Sequence, residues 1–242
     1  MLLSITAYAQ IEVLEDFEDV ANNQIPENWT DTNFAVASNF TCDGSEKAIY
    51  TGFTAAGQET LTTPNYTAIS NGTDLNVSFS YNVFEQVSQF PPASYVAPTA
   101  GWGSLVLEYS TDNGVSWINA TTINDSNFTF VDNSTCSSTA DITISGIANA
   151  SDFQARFVAT GTTISNFALW IIVDNVSFTQ LATNIPNCDA TLISPLSGAT
   201  DADIDMALTW QAATGLATGY TVSVGTTSGG TDADTGSDTG TA

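Results

Sequence analysis

The chain has 242 residues, enough for one domain of ordinary size, part of another and a real buried core. Its 26 Asp and Glu stand against two basic residues, Lys47 and Arg156, for a formal charge of −24, and it has no histidine. Nucleic acid and anionic membrane surfaces are thereby excluded as direct partners, because phosphates are neutralised by Lys and Arg. Ser-His-Asp and Cys-His catalysis, H-E-x-x-H zinc sites and histidine pH switches are excluded too. Charged residues are only 12% of the chain and hydrophobic ones 43%, so this is not an acidic disordered tail. Its surface must be mostly Ser, Thr, Asn, Gln and Gly. Such a surface suits an extracellular protein in salty or calcium-containing water, and equally serves plain solubility.

Residues 1–10, MLLSITAYAQ, read as the end of a secretory signal, with Ala7-Tyr8-Ala9 as the cleavage pattern before Gln10. The basic start of such a signal is missing and its apolar part is short, so the true start is expected upstream, or else the start is misassigned. No later run approaches the ~20 apolar residues of a membrane helix. From residue 11 to 182 the apolar pattern has period two, broken by Gly, Asn, Asp and Pro, and predicts strands rather than helices. In Leu75–Val83 one face carries Leu75, Val77, Phe79, Tyr81 and Val83, and the other Asn76, Ser78, Ser80 and Asn82. Further strands are predicted at 104–109, 127–131, 141–145, 153–159 and 169–178, which argues for an all-β, two-sheet jelly-roll sandwich. Asp112-Asn113-Gly114 is a hairpin signal, since Asn-Gly readily takes positive φ. Trp29, Trp117, Trp170 and Trp210, on strand-like stretches, are expected in the core. Three cysteines, Cys42, Cys136 and Cys188, allow one disulfide with one left over in an oxidising compartment. All three pairings are open, with Cys42–Cys136 preferred.

The pattern breaks at 183–188, a linker, and a second β domain is predicted over 189–242. It is roughly half the ~100 residues of an immunoglobulin-type sandwich, so an incomplete domain is expected. Gly225–Ala242 contains only Gly, Thr, Ser, Asp and Ala, which predicts a flexible end with no buried strand face.

Four landmarks occur in order: Leu14-Glu15-Asp16-Phe17-Glu18, Ile25-Pro26-Glu27-Asn28-Trp29, the run from Leu105 to Trp117, and Ile172-Val173-Asp174-Asn175-Val176-Ser177-Phe178. Together they resemble the MAM-like jelly-roll domains, among them the cleaved-adhesin and choice-of-anchor modules of secreted bacterial surface proteins. The piece from Cys188 through Trp210 to Gly219-Tyr220-Thr221-Val222 resembles the first half of a fibronectin type III domain. The combination is similar to multidomain proteins exported by gliding and marine Bacteroidetes. It implies an extracellular or outer-surface location, neighbouring domains in a longer chain, and terminal strands that run side by side.

Calcium is the expected cofactor, because a hard cation wants several oxygen ligands and the chain is rich in carboxylates. The resemblance implies Glu18 and Asp174 as ligands or their neighbours, and Asp43, in the turn Cys42-Asp43-Gly44-Ser45, is a third candidate. Asp201-Ala202-Asp203-Ile204-Asp205 lacks the Gly and distal Glu of an EF-hand and reads as the solvated start of a strand. Glu85 and Glu108 are the only obvious pair for glycoside hydrolysis, but surface positions are expected for both. The segment Gln89–Gly103 is long, stiffened by Pro91, Pro92 and Pro98, and aromatic. Phe90, Tyr95 and Trp102, with Asn82 beside them, are the candidate sugar-stacking platform; the alternative is a loop that caps one end of the sandwich. The resulting expectation is a non-enzymatic adhesion or carbohydrate-recognition module whose partner is a glycan or surface protein. The alternatives are an accessory domain of a secreted peptidase or glycoside hydrolase, and a surface-filament subunit.

Overall fold

The computed structural model describes residues 10–42, 44–88, 93–139 and 141–181, then 191–196, 199–200, 207, 209–212, 221–224, 227 and 234–238. The chain separates into two compact units, the first ending at Leu181. In chain order the first unit contains β1 (Glu12–Glu15), β2 (Thr30–Asp31), β3 (Ala35–Ala37), β4 (Ala48–Phe53), β5 (Gly57–Thr62), β6 (Leu75–Gln86) and β7 (Tyr95–Val96). It continues with β8 (Gly103–Ser110), β9 (Ile118–Ile123), β10 (Ser137–Ser138), β11 (Ile142–Ile144), β12 (Gln154–Gly161) and β13 (Ala168–Gln180). Among the described residues there is no helix.

These strands form two antiparallel sheets. The eight-stranded sheet runs β10-β6-β13-β4-β3, with β1 also on β13 and with β7 and β11 also on β6; the five-stranded sheet runs β2-β5-β12-β8-β9. The chain crosses repeatedly between the layers, which makes this an all-β jelly-roll sandwich. β1 lies on β13 with Val13 opposite Phe178, so the first and last strands of the unit are neighbours. Alternation decides what faces inward. On β12, Ala155, Phe157 and Ala159 enter the core between the sheets, while Gln154, Arg156 and Thr160 stay half-buried on the outer face. Phe157 meets Phe79 of the opposite sheet edge-on at 5.0 Å, a contact worth ~0.5–1.5 kcal/mol beyond the area it buries.

β6 follows its predicted alternation from Leu75 to Tyr81 and then departs from it: Asn82, Val83, Phe84 and Glu85 are all buried. The cause is a second layer on the outer face of the eight-stranded sheet. A disulfide joins Cys42 to Cys136, and Phe40, Cys42, Ala37, Ala48, Phe84 and Ile172 form a separate apolar cluster. Asn82 is therefore no rim of a sugar site; its Nδ2 donates to the carbonyls of Asp132 and Thr135 beneath this layer. Trp170 is half-buried in the same cluster rather than in the main core, its indole over Gly52, where an added Cβ would sit 2.3 Å from the ring.

Three other expectations change. Residues 127–131 form no strand, because Asn127 and Phe128 close a turn on the Asn124 carbonyl. The hairpin partner of β8 begins at Ile118 rather than at Val115, directly after the Asp112-Asn113-Gly114 signal, since Asp112 holds the intervening loop by accepting from Ser110 and Ser116. Trp117 leaves the core for the outer face, where Arg156 covers it. Trp102 moves the other way: it is 1% exposed. Gly103, at φ 129°, approaches the Thr160 carbonyl so closely that a Cβ could not fit, and this draws the preceding indole under the loop. Trp102 is thus core, and residues 97–102 of the loop cap the sandwich.

In the second unit β14 (Thr191–Ser194) pairs with β15 (Thr209–Gln211), placing Leu192 opposite a half-buried Trp210. β16 (Thr221–Val224) pairs with β17 (Asp234–Asp238). β17 lies where composition predicted a flexible end; a two-stranded ladder needs backbone groups, not apolar side chains. Residues 1–9, Cys188, Asp201–Asp205, Gly219 and Tyr220 lie outside the described residues. Trp102→Ala should cost about 3–5 kcal/mol by opening a core cavity. Each kcal/mol lowers Tm by roughly 2–4 °C in a unit of this size, so calorimetry will show a large drop; an unchanged Tm contradicts this placement.

Candidate functional site

Two places collect functional side chains, and the first is where β1 meets β13. After β1 the chain turns through Phe17, whose φ of 60° drives its ring into the core against Trp29 and leaves Asp16 and Glu18 on either side. Glu18 Oε1 accepts the backbone N–H of Glu46 at 2.8 Å and of Lys47 at 3.2 Å. The Lys47 ammonium donates to the carbonyls of Glu18 and Val20. Across from them, Asp174 is completely buried beside a register shift in β13, with Asn175 at φ 50°. Asp174 Oδ1 accepts from the backbone of Asn175 at 2.7 Å, whereas Oδ2 has no hydrogen-bond partner. Burial pushes the Asp174 carboxyl up to about 6; Ser45 and Asn175 pull it down, and the charges of Glu18 and Asp16 push it further up. A buried carboxylate oxygen left bare and repelled by two neighbouring acids is a position that a cation would relieve. The donor set is hard oxygen, which fits calcium. Among the described residues no three Asp, Glu, His or Cys side chains form a metal cluster, so Ser45 and main-chain carbonyls would complete the shell. Asp43 lies outside the described residues.

Glu85 and Glu108 do not form a catalytic pair. They sit on different sheets, β6 and β8, and each carboxylate is already engaged. Glu108 Oε2 is 2.6 Å from Arg156 Nε. Glu85, expected at the surface, is completely buried. It accepts from the backbones of Thr99 and Asn166, each at 3.0 Å, and from the Asn166 side chain at 2.5 Å. Burial alone would raise its pKa, but these donors outweigh burial and hold it below the usual carboxylate range. Glu85 is the pin that fixes the 97–101 and 163–167 loops to the end of the sandwich.

The second place is a groove of about 370 Å³ at that end, between residues 97–102 and 125–130. Trp102 is its floor, half-buried Phe128 and Phe130 line it, and Pro98 and Ala100 line it from the capping loop. Phe128 meets Trp102 edge-on at 6.4 Å. The Asp125 carboxylate accepts the Gly101 N–H, and the Thr162 hydroxyl donates to the Gly101 carbonyl, so the loops are tied together. Of the predicted platform, Trp102 contributes a buried floor, and Tyr95 packs its half-buried ring on Phe84, beside Phe130. Phe90 lies outside the described residues. The rings that line the groove, Phe128 and Phe130, were hidden in the sequence because their segment reads as a strand.

No protein-family model and no curated protein sequence matches the chain. Solved structures of similar shape include the carbohydrate-binding module TmCBM61 in complex with β-1,4-galactotriose, at 11% identity and TM-score 0.42, covering 69% of this chain and 95% of that one. The K1 cleaved-adhesin domain of Lys-gingipain from Porphyromonas gingivalis W83 aligns at 14% identity and TM-score 0.38, covering 71% and 99%. The CBM22-1-GH10 modules of Clostridium thermocellum xylanase 10B align at 10% identity and TM-score 0.44, covering 74% and 30%.

A carboxylate whose folded pKa is depressed stabilises the fold above its unfolded pKa, and that stability is lost as pH falls through the folded value. Glu85→Gln should therefore cost about 1.5–3 kcal/mol near neutrality, the worth of hydrogen bonds to a charge. The gap to wild type should close below the ordinary glutamate range. Denaturant midpoints measured from pH 7 to 3 check this, and a gap that stays constant contradicts it.

Proposed function

We propose that the first unit is a non-catalytic glycan-recognition module of an exported protein, acting in adhesion or carbohydrate binding and stabilised by calcium. The observation that carries this reading is the groove between the 97–102 and 125–130 segments, aromatic on its floor and one flank and latched by Asp125. Its volume falls within the range of small-molecule sites. A sugar ring presents an apolar face of C–H groups and a polar rim of hydroxyls. Phe128 and Phe130 suit the first, Asp125 and Thr129 the second. A chain of charge −24 repels polyanions, so a neutral glycan is the fitting partner. Glu85 and Glu108, both engaged by structural donors, support a non-enzymatic role. The Cys42–Cys136 disulfide supports export to an oxidising compartment.

Calcium, held by Asp174 and Glu18, would cancel the repulsion among Asp16, Glu18 and Asp174 and brace β1 against β13. Binding to the folded state alone adds stability by mass action, so Tm should rise with added calcium and fall with chelator. Asp174→Ala should erase that difference; identical melting in calcium and chelator rejects the calcium reading. On a glycan array the protein should bind neutral glycans with signals insensitive to salt. Phe130→Ala should weaken them up to about tenfold, the worth of one aromatic contact. An array silent for neutral glycans rejects the module's proposed role.

A further inference from the structure

Arg156 is the one arginine of the chain, and it stands on the outer face of the five-stranded sheet rather than near any of the sites above. Its guanidinium carbon lies 4.1 Å over the Trp117 ring, and its Nε donates to Glu108 Oε2 at 2.6 Å. Both side chains reach solvent, at 30% and 22% exposure. Their hydrogen bond engages Arg156 Nε and Glu108 Oε2. A single solvent-reaching pair of this kind adds only ~0–1 kcal/mol to stability, a small part of what holds the fold. What the pair does supply is a donor and an acceptor held side by side, with the donor's plane fixed by the indole beneath it.

We propose that Trp117, Arg156 and Glu108 form a second glycan site, independent of the end groove, which binds a neutral polysaccharide chain through a vicinal diol. The guanidinium N–H donates to one hydroxyl oxygen, and Glu108 Oε1 accepts from the neighbouring hydroxyl. Because the two charges cancel locally, the pair favours an uncharged polar ligand over an ion. The surrounding register completes the surface. Thr62, Arg156, Glu108 and Asn119 form one cross-strand row, and Thr60, Val158, Val106 and Thr122 the next. Val106, half-buried on this face beside the buried Val158, offers C–H contact to a sugar ring, with the half-buried Thr60 and Thr122 at either side. Five strands at ~4.8 Å spacing span roughly 19 Å, the reach of an extended chain rather than a single ring. Two sites on one unit would also raise avidity for a polymer without new contacts.

The test is affinity electrophoresis of the full chain through gels containing β-1,4-galactan, arabinoxylan, mixed-linkage β-glucan or galactomannan. The same polymers after periodate cleavage of their vicinal diols serve as controls. At least one native polymer should retard the protein, and periodate treatment should abolish the part that Arg156→Met also abolishes. Arg156→Met and Glu108→Gln should each weaken retardation about tenfold while leaving Tm unchanged. Should a variant fold poorly, quenching of tryptophan fluorescence in wild type but not in Trp117→Phe, on titration with the retarding polymer, reads the same site. Loss of retardation with Phe130→Ala but none with Arg156→Met or Glu108→Gln overturns this site and leaves the groove. Loss with Arg156→Met alone supports this site and rejects the groove. Retardation by none of the polymers overturns it.

Discussion

The ladder between β6 and β13 is the constraint on which the rest of the first unit depends. It is paired from Leu75–Gln180 at one end to Gln86–Ala168 at the other, and it is interrupted once, between Asp174 and Ser177. Its inward residues carry the centre of the core, and its outward residues carry a second apolar layer under the Cys42–Cys136 disulfide. Where this ladder is covered on both faces, as at Asn82–Glu85, its polar residues cannot reach solvent. Each of them must therefore find partners within the protein.

Those partners show how one ladder positions distant loops. At one end Gln180 accepts the backbone N–H groups of Ile11 and Asn71 and donates to Ser70 and to the Thr73 carbonyl, fixing the chain's arrival at β1 and β6. At the other end Glu85 gathers Thr99 and Asn166, so the capping loop and the 163–167 loop are set by one carboxylate. Asn82 ties down the 132–135 segment between them. Asp174 differs from these three, since one of its oxygens finds no partner and its proton affinity is raised by burial. The exception to full satisfaction is the position proposed for a cation, whereas the fully satisfied carboxylate at Glu85 is structural.

The alternation of Leu75–Tyr81 made the half-buried strand legible, and Asn113-Gly114 marked the turn where both residues take positive φ. The adjacency of the terminal strands, which the resemblance implied, is present as the pairing of β1 with β13. What local pattern could not show was the second layer. Nothing near Asn82 or Trp170 in sequence announces that a disulfide 94 residues long in span folds a strap across that face. The tryptophans exchanged places for the same kind of reason. Trp102 is buried because Gly103 allows a close backbone approach to Thr160, and Trp117 is outside because the hairpin loop runs to Ile118 before pairing resumes. Phe128, Phe130 and the Arg156–Glu108 pair meet their partners only through tertiary register.

The central claim is that the unit recognises a neutral glycan through surfaces set by this framework, not through its acidic corner. Backbone amide NMR of the isotopically labelled chain, titrated with the tightest-binding neutral oligosaccharide, tests it most directly. The account predicts shift changes at Ala97–Ala100 and Phe128–Phe130, with the sheet face around Trp117 and Arg156 as the second patch. Shifts confined to Leu14–Glu18 and Asp174–Ser177, or absent throughout, would contradict it.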